Sequence, residues 1–134
     1  MERVKCFFEE NDHFAKHTGI ELLEVEPGYA KVKMEIKKFH LNGVKTVHGG
    51  AIFTLADFAF AVAGNSQGVL AVGIHATMSF LNPVSTGILF AEAKTVSLNS
   101  RIGTYAATVT DNEGNLVATF EGTAYRKKNT PKLA

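Results

Sequence analysis

A chain of 134 residues, 46% apolar and 20% charged, with one cysteine and no tryptophan, has the profile of a single globular domain spanning 1–134. Fourteen Lys and Arg against thirteen Asp and Glu leave a formal charge of +1, which excludes the strong basic field that holds nucleic acid or an anionic membrane. Cys6 alone excludes an internal disulfide, and charges scattered through the first ten residues replace the apolar run of a signal peptide, so a cytoplasmic location is expected.

From Glu2 to about Lys16 the apolar positions Val4, Phe7, Phe8, Phe14 and Ala15 recur near helical spacing, and Thr18-Gly19 closes the segment. The pattern predicts one N-terminal helix, with Cys6 packed among its apolar residues. Ile20 to Glu26 reads as a strand, Pro27-Gly28 as a turn, and Tyr29 to Lys37 alternates apolar and charged side chains as a half-buried strand does. His40 to Gly50, with its glycine breaks and little periodicity, is expected to be a loop.

Ala51 to Ala63 contains two polar side chains, Thr54 and Asp57, and presents apolar residues on every face, which predicts a helix buried all round. The apolar window from Gly49 to Gly64 is shorter than the roughly 20 residues of a membrane span. Val69–Leu81, Leu89–Leu98, Gly103–Asp111 and Leu116–Arg126 read as four more strands, separated by turn residues short enough for antiparallel hairpins. The expected class is α+β, a curled antiparallel sheet around one long helix, followed by a frayed tail from Lys127 to Ala134.

Asp57 carries the strongest chemical signal. An ionised carboxylate in a dry core costs several kcal/mol or more without a partner, and no Lys or Arg lies within a helical turn of it. It either meets water in a cleft or is partnered by another chain. His48-Gly49-Gly50 stands where loop becomes helix, and first-turn amides, approachable because glycine lacks Cβ, can hold an oxyanion. Gly49 and Asp57 are eight residues apart, about 12 Å along a helix, too far to act on one carbonyl. If both serve one reaction, two chains must meet across a two-fold axis and share two equivalent sites.

The run Leu41-Asn42-Gly43, His48-Gly49-Gly50-Ala51-Ile52-Phe53, Leu55-Ala56-Asp57 and Asn65-Ser66-Gln67-Gly68 resembles the hotdog-fold acyl-CoA thioesterases, most closely the PaaI-like subfamily of phenylacetic acid degradation. That resemblance implies a helix wrapped by five or six antiparallel strands, a homodimer often paired again into a homotetramer, and hydrolysis of a medium-chain or aromatic acyl-CoA without metal or cofactor. It also implies that Asp57 is the catalytic base or nucleophile, that Asn42 helps hold the attacking water or the carboxylate, that Gly49 N–H is the oxyanion donor, and that His48 braces its loop. Gly50 belongs to the same substrate-binding turn. Phe58 is bulkier than the smaller, often polar residue usual after the catalytic acid and is expected to make the acyl pocket narrower or more apolar. His75, Thr77 and Ser79 lie on the strand expected to face the site. Arg101, in a hairpin turn, can meet a phosphate of the coenzyme through its planar guanidinium, with Lys94, Arg126, Lys127 and Lys128 as helpers. A hotdog hydratase or dehydratase and a non-catalytic acyl-CoA binder are the alternatives. His13 and His17 have helical zinc-chelating spacing but no clear third ligand, and no Gly-x-Ser-x-Gly elbow supports a serine triad.

Overall fold

The computed structural model describes residues 1–127; Lys128 and the rest of the expected tail lie outside them. Two helices, α1 (Glu2–Asn11) and α2 (His13–Thr18), replace the single N-terminal helix of the sequence reading. Asp12 makes the break: its side chain accepts the Ala15 N–H at 3.0 Å and caps α2, which ends at Gly19. Short polar side chains favour such caps over helix interiors because they compete for backbone amides. Cys6 faces solvent, a correction to the packed position expected of it.

Six strands follow: β1 (Ile20–Glu26), β2 (Tyr29–Glu35), β3 (Ala71–Phe80), β4 (Ile88–Leu98), β5 (Ile102–Thr110) and β6 (Leu116–Arg126). They form one antiparallel sheet in the order β1-β2-β4-β5-β6-β3, which does not close. The alternation in β2 is realised directly, with Ala30, Val32 and Met34 fully buried and the intervening lysines half-buried. At the β1–β2 turn Gly28 has φ +74°, and a Cβ there would stand 2.4 Å from Thr95 Oγ1, so only glycine lets β4 approach this closely.

The long helix, α3 (Gly49–Asn65), lies across the concave face of the sheet. Ile52, Leu55, Phe58, Phe60 and Val62 are buried on it, a transfer free energy on the order of 10 kcal/mol. Burial is not complete, however. Phe53, Thr54, Asp57 and Ala61 are only half-buried and Gly50 is exposed, so one stripe of the helix stays open. Alanine and glycine count as apolar in a sequence but cover little, and an open sheet cannot enclose all sides of the rod. The segment before α3, expected to be irregular, contains a 3-10 turn at Lys38–His40 and a narrow antiparallel excursion in which Leu41 bridges Val47.

Among the described residues edge strand β3 pairs only with β6, and Val72, Ile74, Phe80 and the adjoining Leu81 remain exposed. An unpaired apolar edge of this kind is a template for another strand. Among the described residues no helix is long and apolar enough to cross a membrane.

Candidate active site

The first turn of α3 leaves one amide unused. His48 is the N-cap, with extended backbone at φ −60° and ψ 137°, and its Nδ1 accepts the Gly50 N–H at 2.8 Å. Because a backbone amide can only donate, Nδ1 carries no proton and the ring is held as the neutral Nε2–H tautomer. Ala51 and Ile52 N–H both donate to the His48 carbonyl, at 2.9 and 3.2 Å. The Gly49 N–H makes no hydrogen bond with the described residues. The Phe80 ring walls one side of this turn, 3.1 Å from where a Gly49 Cβ would be.

Asp57 lies two turns further along the same open stripe. Among the described residues no hydrogen bond or ion pair reaches its carboxylate. Burial pushes its pKa above the usual carboxylate range, and the Asp12 carboxylate, which sequence reasoning had not connected to the site, pushes in the same direction. The carboxyl borders a cavity of about 230 Å³ walled by Phe60, Ala61, Gly64, Gly73 and Ala124. The other polar side chain of this cavity, Asn65, is fully engaged: Nδ2 donates to the Ala61 and Ala71 carbonyls, and Oδ1 accepts the Ala71 N–H. Among the described residues the carboxylate is therefore the one polar side-chain group of this cavity without a partner.

The remaining expected residues divide. Asn42 closes its own turn: Oδ1 accepts the Val44 and Thr46 amides and Nδ2 donates to Thr46 Oγ1 at 2.9 Å, which leaves one Nδ2 proton uncommitted. Phe58 points away from the Asp57 cavity, packs edge-to-face on Phe8 at 6.0 Å and is buried under α1, so in this chain it anchors the N-terminal helix and does not narrow that cavity. His75, Thr77 and Ser79 are exposed on β3, while Ala76 and Met78 pack inward, so in this chain the three polar side chains do not line the cavity. Arg101 donates to the Tyr125 hydroxyl at 2.9 Å, and Arg126, whose N–H is bonded to the Arg101 carbonyl, donates from its guanidinium to the Asn99 carbonyl. The two residues are thus paired through the backbone at one end of the sheet, while their guanidinium groups bond different partners. His13 and His17 are exposed, and the described residues bring no group of three ligating side chains together.

Residues 44–118 match the model of the thioesterase superfamily, a span that includes His48, Gly49, Gly50 and Asp57. The chain belongs to that superfamily. A relative from Archaeoglobus fulgidus is 42% identical over 94% of this chain and 82% of its own length. The Escherichia coli acyl-coenzyme A thioesterase PaaI is 39% identical over 87% of this chain and 84% of its own length. Its solved structure, from the phenylacetic acid degradation operon, superposes with a TM-score of 0.91, covering 99% of this chain and 98% of the other at 34% identity. A Streptococcus mutans protein solved with acetyl CoA bound gives a TM-score of 0.79 at 25% identity, over 86% of this chain and 91% of its own. This protein is accordingly a PaaI-like thioester hydrolase with the hotdog fold, as the motif resemblance implied.

Proposed function

We propose that two copies of this chain form a dimer that hydrolyses a medium-chain or aromatic acyl-CoA, each site combining Asp57 of one copy with the Gly49 N–H of the other. The observation that carries this reading is the pair of unspent groups on one open stripe of α3: a free first-turn amide and an unpaired, half-buried carboxylate. They lie about 12 Å apart along their own helix, so antiparallel helices across a two-fold axis are what bring them to one carbonyl. The open stripe and the exposed apolar edge of β3 supply a surface for that pairing.

In this arrangement Asp57 takes a proton from water, the resulting hydroxide forms a bond to the thioester carbon, and charge moves onto the carbonyl oxygen facing the Gly49 amide. The tetrahedral adduct then collapses, the C–S bond breaks, and the leaving sulfur takes the proton back from Asp57, which gives coenzyme A thiol and the free acid and restores the carboxylate. Burial raises the basicity of Asp57, which serves it as a base on water and equally as a direct nucleophile. Asn42, through its uncommitted Nδ2 proton, is proposed to help hold the water, and His48 keeps the turn in shape. The cavity beside Asp57 takes the acyl group: its about 230 Å³ exceeds the roughly 150 Å³ that accommodates benzene, and its walls suit hydrocarbon. Arg101, seconded by Arg126, is proposed to bond the coenzyme phosphates.

The test uses two variants. Asp57→Ala removes the base, and Gly49→Pro removes the amide at a helix position where proline is tolerated, after a residue already extended. Each alone should release no thiol from an acyl-CoA panel. Mixed in equal amounts they should recover about a quarter of wild-type activity, because half the dimers are hybrid and each has one intact site of two. No recovery after proven subunit exchange overturns the shared site.

A further inference from the structure

His40 is 3% exposed, absent from the Asp57 cavity, and unassigned by the reading above. Its ring is committed at both nitrogens. Nδ1 accepts the Lys37 N–H at 2.9 Å, so the proton sits on Nε2, which meets the Thr18 carbonyl at 2.7 Å. Thr18 is the last residue of α2, and helix ends leave carbonyls that need such donors. The Phe39 ring lies against the imidazole, with centroids 4.2 Å apart. The main chain of His40 then reaches the catalytic turn directly, its carbonyl accepting the His48 N–H at 2.7 Å. Below that bond, Asn42 N–H donates to the Thr46 carbonyl at 2.8 Å, and Val47 N–H to the Val84 carbonyl at 2.8 Å.

These bonds make one mechanical chain from the end of α2, through an imidazole held in a single tautomer, to the residue that immediately precedes Gly49. We propose that His40 is a positioning residue: it anchors the backbone of His48 so that the Gly49 amide keeps one direction. The catalytic consequence rests on the Gly49 N–H being the oxyanion donor. Misplacing a reacting group by 1 Å can cost about a hundredfold in rate, so loosening this anchor acts on turnover, not on binding of the coenzyme.

The experiment compares His40→Gln and His40→Leu with Val25→Ala, a buried β1 truncation beside the Gly28 turn at the other end of α3, which lowers stability by another route. Amide resonances of Gly49 and Gly50 are recorded on the ligand-free protein, and kcat and KM are measured per folded molecule. In His40→Gln both resonances should move and kcat should fall about tenfold, with KM for acyl-CoA held within about twofold. His40→Leu should move the resonances further. Val25→Ala should leave them in place. Resonances that stay put in a folded His40 variant, or that move as far in Val25→Ala at matched stability, overturn the proposal. Resonances that move while kcat holds leave the positioning intact and overturn instead the role of Gly49 as oxyanion donor.

Discussion

The two ends of α3 use the same kinds of polar group to opposite purpose. At the C-terminal end Asn65 and Ser66 are buried and their side chains spent on the fold: Asn65 ties the helix to the start of β3, and Ser66 Oγ accepts the Gly28 N–H while donating to the Ala63 carbonyl. At the N-terminal end His48 satisfies Gly50, and Gly49 is left with an amide that nothing in the described chain uses. A helix end whose donors are all satisfied holds structure together, whereas one with a single donor withheld can act on a ligand. Asp57, between the two ends and equally unspent, belongs with the N-terminal group by chemistry, though its own cavity lies toward the C-terminal half.

The largest break in this contrast is Asp57→Asn. Loss of the proposed base should lower kcat by about 10²–10⁴ in an assay that detects released thiol. Asn65→Ala is its counterpart at the structural end. It strands the Ala71 amide and carbonyl in the core, and at about 1–3 kcal/mol for a buried group left unsatisfied the chain should lose several kcal/mol, read as a lower denaturant midpoint. Activity per folded molecule should survive that change much better than it survives Asp57→Asn. His48→Ala crosses the two categories: removing the cap should cost about 1 kcal/mol of stability, and the loosened turn should also lower kcat.

How much of this was legible in the sequence follows from the range of the interactions involved. The alternation in β2 and the glycine pair at the start of α3 are local signals, and both reappear as a half-buried strand and a helix terminus. The Asp12 break was also local, an Asp three residues before Ala15 with Gly19 behind it, but the apolar positions on either side ran together into one apparent helix. The open stripe could have been found by asking about size as well as polarity, since Gly50, Thr54, Asp57 and Ala61 recur at helical spacing and none is large. The pairing of β3 with β6 and the contact of Phe58 with Phe8 are long-range and leave no mark in a local pattern. Asp12 near Asp57 and His40 beneath His48 are products of packing for the same reason.

Arg101→Ala sharpens the distinction between holding a substrate and acting on it. Loss of one exposed guanidinium on a phosphate should raise KM for acyl-CoA a few-fold, on the order of 1 kcal/mol, with kcat little changed. A truncated thioester lacking the nucleotide should show no such difference. A KM effect of equal size on both substrates places Arg101 outside the coenzyme site.

The smallest effect concerns stability, and its sign is opposite to that of most active-site substitutions. Burial and Asp12 raise the Asp57 pKa in the folded chain, so the folded protein favours the protonated acid more than the unfolded chain does. The stabilisation this provides is complete below the unfolded carboxylate pKa, near 3.9, and is lost as pH rises through the higher folded value. At neutral pH the ionised carboxylate is therefore a net cost, screened by the half-open stripe on which it sits. Asp57→Asn, neutral at every pH, should melt slightly higher than wild type at pH 7, and the gain should fade on acidification and vanish below the ordinary carboxylate range. The same raised pKa should set the acid limb of kcat/KM above that range, because in the proposed mechanism Asp57 acts only when ionised. A wild-type melting curve that gains on Asp57→Asn as pH rises from 4 to 7 would mean that the carboxylate has found a stabilising partner in the assembled protein, and the acid limb should then move down with it.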